Sequence, residues 1–435
     1  MPTKEIYLFL QYAVSVISNW WWLPLPFMIG KPFLFFYKWW RIDDWLSKQK
    51  SVVLEVKLPR DILKPVRAME QVMASIHGAT YHPPDWWEEW IDGQVQLSVH
   101  FEIASIGGDT HFYVRFGSSY RESVEASIYS QYPEAELVEV EDYTRYVPQN
   151  IPNKEWDLWG ADYKMLVDDH YPIKTYLQFE TEQEKEMEQK VDPVAALLEV
   201  MSKVTPGNQL WIQISGDPIS EKPLMKWIDE GKILRDKIAR RPEEKSGTKP
   251  MIQEAAEILI TGKVPEEEKV EERDIIPPEM KLTPGEREVL GGIERKMSKP
   301  CFKTHIRFIW MGKRDVWFKP NFRFAFSYFN GYATINMNSL QPTGKTLTKI
   351  HKHWFLPINW FRPRRHYLRC RKLFRNYVRR WSAYFPKDTS ELTYIMNVEE
   401  LASLFHFPGK GAAPAPGLSR IEAKRGGGLP NLPTE

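Results

Sequence analysis

The clearest alternation of apolar and polar residues in this chain is the stretch Val95-Gln96-Leu97-Ser98-Val99-His100-Phe101-Glu102-Ile103. A period of two is typical of a β-strand with one buried face. Gly107-Gly108-Asp109 then supplies a turn, and Thr110–Phe116 reads as a second strand. The stretch therefore predicts a β-hairpin.

The segments on either side of this hairpin complete a β-α-β-β-α-β order. Val52–Leu58 alternates as a strand, and Pro65–Ile76 places Val66, Met69, Met73 and Ile76 on one helix face. After the hairpin, Tyr120–Tyr132 reads as a helix and Leu137–Val140 as a closing strand. This order predicts a ferredoxin-like unit.

A second stretch repeats the same order with a long insertion. Its predicted elements are a strand at Thr175–Phe179, a helix at Asp192–Val204, strands at Leu210–Ile214 and Thr304–Met311, a helix at Pro320–Tyr328 and a strand at Thr334–Met337. The insertion, residues 219–299, contains a helix, an acidic linker and a second helix that begins with a capping box at Thr283 and Glu286. The linker is expected to be a solvated tether, or else to dock on the basic helix described below.

The predicted fold class is α+β, with an N-terminal transmembrane segment followed by two ferredoxin-like units. The predicted domains are a membrane anchor (1–50), unit 1 (51–150), unit 2 (151–218 and 300–345), its insertion (219–299), a basic aromatic helical segment (346–390), and a linker helix with a flexible tail (391–435).

The predicted anchor rests on a run without Asp, Glu, Lys or Arg from Ile6 to Met28, about the length that crosses a hydrocarbon core. Interfacial anchors are expected at Trp20, Trp21, Trp22, Trp39 and Trp40. Because most of the nearby positive charge follows the run, a single-pass protein of the cell membrane with a cytoplasmic body is predicted. The alternative is a segment at Lys31–Trp45 that lies in the membrane interface, since Pro24 and Pro26 would break a spanning helix.

The charge of the chain is strongly segregated. The formal net charge of all 435 residues is only +2, yet residues 316–387 contain no Asp or Glu. Within them, Pro363–Trp381 reads as a helix with one apolar stripe surrounded by cations. The residues predicted to bind a polyanion are Arg364, Arg365, Arg369, Arg371, Lys372, Arg375, Arg379 and Arg380. Nucleic acid, anionic lipid and an acidic protein surface all remain open as ligands, as does a merely solvated helix.

Signatures of catalysis are weak. Gly344-Lys345-Thr346 ends like a phosphate-binding loop, but Ser339 stands where its first glycine belongs. Asp168-Asp169-His170 and His351-Lys352-His353 lack a third ligand at a convincing spacing, so surface residues are expected. Cys301 and Cys370 are far apart, which argues against a disulfide scaffold or a cysteine zinc site. The sequence therefore predicts neither an enzyme nor a cofactor or metal site.

Several segments resemble one family of membrane-anchored ATPases related to type IV secretion coupling proteins, which act in conjugative DNA transfer. The similar segments are Leu282-Thr283-Pro284-Gly285-Glu286, His305–Ile309, Phe326–Asn330, Asn336–Leu340 and Asn397–Pro408. They match the region that precedes the motor in that family. The ATPase domain itself would be expected to begin where this chain ends, at Glu435.

The resemblance implies a non-catalytic subunit that positions a translocation ATPase at the membrane. The segment Asn397–Pro408 reads as a capped helix whose docking residues for the motor would be Leu401, Leu404 and Phe405, although the same face would equally suit the core of the second unit. The partners named by this interpretation are membrane lipid, a separate or downstream ATPase, DNA and further copies of the chain. The alternative function is a stand-alone, membrane-bound nucleic-acid-binding protein that acts through the arginine-rich helix.

Overall fold

A computed structural model describes residues 25–59, 64–179, 192–240, 282–352, 354, 356–381, 392–409 and 418, together with scattered positions between 5 and 22. The chain divides into two compact units. The first comprises residues 1–51 and 81–97, and the second comprises residues 52–80 and 98–435.

The first unit is built on helix α1 (Leu25–Lys48) and a short π-helical turn at Glu88–Asp92. Lys38 forms an ion pair with Glu89. Arg41 donates from Nε to the carbonyl oxygen of Ile91 at 2.6 Å. These two contacts attach the turn to the helix.

The predicted single-pass membrane anchor is wrong. Within the part of the chain that the structure describes, no helix combines the length and the apolar character that a bilayer crossing needs. Helix α1 begins at Leu25 and contains charged residues, among them Lys31, Asp43 and Asp44. Of the predicted anchor residues, Trp20 and Trp21 lie outside the described positions, whereas Trp22, Trp39 and Trp40 are exposed.

The second unit is an α+β structure built on one nine-stranded sheet. Its strands are β1 (Ser51–Lys57), β2 (Val99–Ile106), β3 (Asp109–Gly117), β4 (Glu136–Glu139), β5 (Trp156–Met165), β6 (Asn208–Pro218), β7 (Cys301–Lys313), β8 (Leu340–Pro342) and β9 (Tyr394–Asn397). Their order is β4-β1-β3-β2-β6-β7-β5-β8, and β9 pairs with β7. The hairpin expected at Gly107 is present, since β2 and β3 pair antiparallel on either side of it.

The prediction of two ferredoxin-like units is wrong. The strands form a single sheet in which β2 pairs with β6 over eight residue pairs, so no boundary separates the halves. The predicted strand at Thr175–Phe179 is a helical turn, and the strand predicted at Thr334–Met337 lies instead at Leu340–Pro342. Strand β5 was not predicted at all. Its sequence contains Asp157, Gly160 and Asp162, which are residue types that strands disfavour.

Helices cover both faces of this sheet. The helices are α2 (Val66–Thr80), α3 (Arg121–Gln131), α4 (Tyr176–Phe179), α5 (Ala195–Ser202), α6 (Glu221–Ile238), α7 (Pro284–Met297), α8 (Arg323–Asn330), α9 (Arg362–Val378) and α10 (Val398–Leu404). Ile103, Ile212 and Phe308 lie in one row across β2, β6 and β7 and face the larger core, to which α2, α3, α5, α8 and α10 contribute. Helix α9 covers the opposite face with a smaller core.

The predicted docking face for a partner motor lies inside this chain. Leu401, Leu404 and Phe405 are fully buried, and the ring of Phe405 packs against Phe101 and Phe112. The capping box of α10 is present as predicted, with Asn397 and Glu400 as its members. Because these apolar side chains complete the larger core, they offer no free surface to a partner.

Candidate polyanion-binding site

Helix α9 is seated on the sheet by its apolar stripe. Cys370, Leu373, Phe374 and Tyr377 recur at helical spacing and are all buried. Strand β5 allows a close approach at Gly160, where a Cβ atom would lie 2.9 Å from Cδ2 of Leu373. Proline at position 363 suits the first turn, where its missing N–H has no helical partner.

A row of polar side chains crosses the sheet on the side that α9 covers. Glu102 of β2, Gln213 of β6, Arg307 of β7 and Asp162 of β5 are neighbours in the strand registers, and all four are buried. Burial in a protein interior is tolerated when such groups satisfy one another. Gln213 donates to Glu102 at 2.7 Å, and Nε of Arg307 lies 3.3 Å from Asp162. The row is satisfied only in part, because Oε1 of Gln213, Oδ1 of Asp162 and Nε of Arg307 form no hydrogen bond with the described residues.

Arg380, just beyond α9, joins the end of the helix to this polar row. Its guanidinium forms ion pairs with Glu102 and Asp142. Burial alone would lower the pKa of Arg380 and raise the pKa of Glu102, because it disfavours the charged form of each group. The attraction between the two charges outweighs burial, so the pKa of Arg380 is raised and the pKa of Glu102 is lowered. Arg307 adds a further link, because its Nη2 donates to the carbonyl oxygen of Trp381 at 2.5 Å. Arg380 is therefore a structural residue that presents no charge to a ligand.

Arg369 is also engaged within the chain. Its Nη1 donates to the carbonyl oxygens of Gly344, Leu347 and Lys349 at 3.2, 2.8 and 3.4 Å. The hydroxyl of Thr346 accepts a hydrogen bond from the amide of Asp162 at 3.0 Å. The Gly344-Lys345-Thr346 triplet thus lies in a turn that attaches α9 to β5.

The remaining cations that were predicted to bind a polyanion divide into an exposed set and one at a cleft, whereas Arg362, at the start of α9, donates from Nε to the carbonyl oxygen of Ile350 at 2.9 Å. The exposed cations are Arg364, Arg365, Lys372, Arg375 and Arg379. Arg364 and Arg365 are adjacent, and the other three follow at spacings of seven, three and four, so all five lie on the helix face opposite the buried stripe. We call these five residues the cationic stripe. In the part of the chain that the structure describes, none of them forms an ion pair with a carboxylate. Arg371 lies beside the stripe at a cleft.

Exposed aromatic rings precede the cationic stripe in the chain. Trp360 is 81% exposed and Phe361 is 61% exposed, and both lie in a 3-10 helix, Leu356–Phe361, that leads into α9. Trp354 is 87% exposed. At the other end of α9, the guanidinium of Arg379 lies 4.7 Å from the ring centre of Trp381. The site therefore combines free positive charge with accessible rings.

Comparison with known proteins places the chain in a family. Residues 42–340 match the family described as "Domain of unknown function (DUF8128)". The chain belongs to this family. No curated protein matches the chain. The DUF8128 match includes the polar row of Glu102, Gln213, Arg307 and Asp162, whereas α9 and the cationic stripe follow it in the sequence.

One pair within α9 has the composition of a nucleophilic Cys–His site. The Sγ atom of Cys370 lies 3.7 Å from Nε2 of His366. Burial, however, raises the pKa of the Cys370 thiol to about 12 and lowers the pKa of His366. A buried neutral thiol is a poor nucleophile, so this pair serves packing rather than catalysis.

A second polar cluster lies within the DUF8128 match, at Asp168, Asp169 and His170. Their potential ligand atoms lie within 4.8 Å of one another. His170 contacts Asp168 through Nδ1 at 2.5 Å and the carbonyl oxygen of Trp227 through Nε2 at 2.8 Å. Asp169 accepts from Nε1 of Trp227 and from the amide of Ile395, both at 2.8 Å. Through the two ring nitrogens of His170 and the two carboxylate oxygens of Asp169, the cluster links α6 to β9.

The other segment weighed as a source of metal ligands is His351-Lys352-His353. His351 and Lys352 are exposed, and His353 lies outside the described residues.

Proposed function

We propose that this protein binds nucleic acid through the cationic stripe of α9, without sequence readout and without catalysis. The observation that carries the proposal is the stripe itself, with five exposed cations that have no carboxylate partner in the described residues. Arg364 and Arg379 are 15 residues apart, so the stripe is about 22 Å long at 1.5 Å per residue. That length accommodates several consecutive phosphates of one strand.

Nucleic acid fits this surface better than a lipid bilayer does. A helix that binds a membrane interface inserts an apolar face among the acyl chains. The apolar face of α9, formed by Cys370, Leu373, Phe374 and Tyr377, is already buried against the sheet. The outward side of α9 is cationic rather than apolar, with the exposed Leu368 standing among the cations of the stripe. The exposed rings of Trp354, Trp360 and Phe361 can stack with unpaired bases.

The role in positioning a translocation ATPase stays a prediction from resemblance. The residues assigned to contact the motor are buried in the core, so the predicted docking face is not accessible for that role. Binding of a strand by the stripe would be compatible with such a role, but it does not require one.

The proposal is tested by measuring the affinity of the full-length chain for a labelled 20-nucleotide single strand in a KCl series. About four or five phosphate contacts would give a slope of about −3 in the plot of log K against log salt. The test variant carries Arg364→Gln, Arg365→Gln, Lys372→Gln and Arg375→Gln. Because each contact releases a counterion, we expect the variant to bind about 10²–10³-fold more weakly at 0.1 M salt.

A matched control removes the same number of charges from another exposed helix face. Lys222, Lys226, Lys232 and Lys237 of α6 are exposed, and their replacement by Gln should leave the affinity nearly unchanged. Equal losses in the two variants would mean that binding follows net charge alone, which would overturn the assignment to the stripe. Binding to phosphatidylcholine–phosphatidylglycerol vesicles without binding to the oligonucleotide would replace nucleic acid by lipid as the ligand.

A further inference from the structure

A positively charged cleft lies along one side of α9, next to the cationic stripe. It has a volume of about 650 Å³ and is formed by α9, by the loop that leads into β5 and the first residues of that strand, and by Arg314 just beyond β7. The residues that matter for its chemistry are Lys154, Asp157, Arg314, His366, Tyr367 and Arg371. Three permanent cations thus face one carboxylate, so the lining carries two positive charges in excess.

The loop beneath the cleft is held in place by its own hydrogen bonds. Oδ1 of Asn153 accepts from the amides of Glu155 and Trp156 at 2.8 and 2.7 Å. The side-chain amide of Asn153 also donates to Oδ1 of Asn150 at 2.9 Å. Lys154 therefore projects from a loop whose conformation is fixed before any ligand binds, which reduces the entropic cost of binding.

Arg314 is oriented by two contacts that leave part of its guanidinium available. Its Nε donates to the carbonyl oxygen of Asn153 at 3.0 Å, and its Nη1 donates to Asp157 at 2.8 Å. Among the described residues, its Nη2 has no hydrogen-bond partner, and neither do the side-chain nitrogens of Lys154 and Arg371. The cleft thus offers three cationic donor groups to a ligand.

The charge of the cleft selects the kind of phosphate that fits. A phosphodiester within a strand carries one negative charge, whereas a terminal phosphate monoester carries nearly two at neutral pH. An excess of two positive charges matches the monoester. Tyr367, on the same side of α9, is partly exposed and presents its ring to a nucleoside attached to that phosphate.

Resting on the nucleic-acid binding proposed above, we propose that this cleft receives the terminal phosphate monoester of a strand whose backbone follows the cationic stripe. His366, Tyr367 and Arg371 belong to the same helix as the stripe, so a strand leaving the cleft meets the stripe directly. The stripe supplies salt-dependent affinity, and the cleft adds a preference for a strand end.

The experiment compares three oligonucleotides of one sequence, with a 5′-phosphate, a 3′-phosphate or two hydroxyl ends. We expect the full-length chain to bind one phosphorylated form about tenfold more tightly than the unphosphorylated one, because a single charge-assisted hydrogen bond supplies that factor. A variant with Lys154→Gln and Arg371→Gln should lose this preference, and its affinity for the unphosphorylated strand should fall far less than that of the four-site variant of the stripe. Replacing Lys222 and Lys226 of α6 by Gln is the matched control, which should retain the preference.

The two proposals fail in different ways. Equal affinities for all three oligonucleotides would overturn the terminal-phosphate site and leave the function of the stripe intact. If no oligonucleotide binds, the proposed function falls, and equilibrium dialysis of dAMP against deoxyadenosine then tests the cleft by itself. Tighter retention of dAMP, lost in the Lys154/Arg371 variant, would support the cleft, and equal retention of both compounds would overturn it.

Discussion

Arg380 and Glu102 form a two-point ion pair beneath the end of α9, with Nε 2.9 Å from Oε1 and Nη2 3.1 Å from Oε2. Both side chains are buried, and Tyr143 donates to the same carboxylate at 2.7 Å. Arg380 also adopts a left-handed backbone conformation with a φ of 49°. Such a conformation costs a non-glycine residue about 1–3 kcal/mol. The ion pair therefore keeps Arg380 in this unfavourable backbone conformation at the end of the helix.

The first prediction concerns this ion pair. Arg380→Gln should lower the free energy of unfolding by about 3–5 kcal/mol, because it leaves Glu102 buried without a counter-charge. Urea unfolding followed by circular dichroism measures the change. The adjacent exposed arginine supplies the control, since Arg379→Gln should change the stability by less than about 0.5 kcal/mol. Similar small effects for both variants would show that the pair does not hold α9 on the sheet.

The second prediction separates a core helix from a docking helix at α10. Leu401→Ala should lower the free energy of unfolding by about 2–5 kcal/mol, because it leaves a cavity in the larger core. Leu368→Ala is the matched control on an exposed leucine of α9, and it should be nearly neutral. Thermal unfolding measures the change in stability of both variants. If the Leu401 variant kept the unfolding midpoint of the parent protein, the face of α10 would belong to a partner after all.

The sequence predicted the elements whose apolar residues keep a regular period. The strands around Phe101, Ile212 and Phe308 and the capping boxes at Thr283 and Asn397 are present in the structure. A period of two identifies a strand only when one face is apolar. In β5 the apolar residues occupy both faces, and Asp162 is buried opposite Arg307, so the pattern is hidden.

The sequence also predicted where positive charge collects, but not which arginines remain free. Arg380 resembles its neighbours in the sequence, and its partner Glu102 is 278 residues away. Nothing local distinguishes a buried guanidinium from an exposed one. The cleft was missed for the same reason, since Lys154, Arg314 and Arg371 come together only when β5, β7 and α9 are assembled.

The third prediction distinguishes a structural arginine from a ligand-binding one. Arg369→Gln removes the donor to the carbonyl groups of Gly344, Leu347 and Lys349, so amide hydrogen exchange in residues 343–350 should become faster. Arg365→Gln should leave that exchange unchanged and weaken oligonucleotide binding instead. Hydrogen exchange followed by mass spectrometry measures the first effect and fluorescence anisotropy the second. Identical exchange in the Arg369 variant and the parent protein would rule out this structural role.

The fourth prediction is a pH dependence centred on His170. Burial lowers the pKa of this imidazole, but the hydrogen bonds to Asp168 and to the carbonyl of Trp227 outweigh it, so the pKa is raised above its ordinary value. The protonated form is therefore favoured by folding. The contribution of His170 to the free energy of unfolding is fully present below about pH 6.5, the pKa of an unfolded histidine. It is lost as the pH rises through the higher pKa of the folded state.

The measurement is the free energy of unfolding of the parent protein and of His170→Gln between pH 6 and pH 9. The difference between the two should be largest at pH 6 and should shrink as the pH rises. Other buried histidines, such as His100 and His305, contribute equally to both proteins and cancel in this difference. His82→Gln, at an exposed site, is the control and should change the free energy of unfolding by less than about 0.5 kcal/mol. A difference for His170→Gln that grew with pH would mean that this histidine is held in its neutral form, which contradicts the two hydrogen bonds donated by its ring.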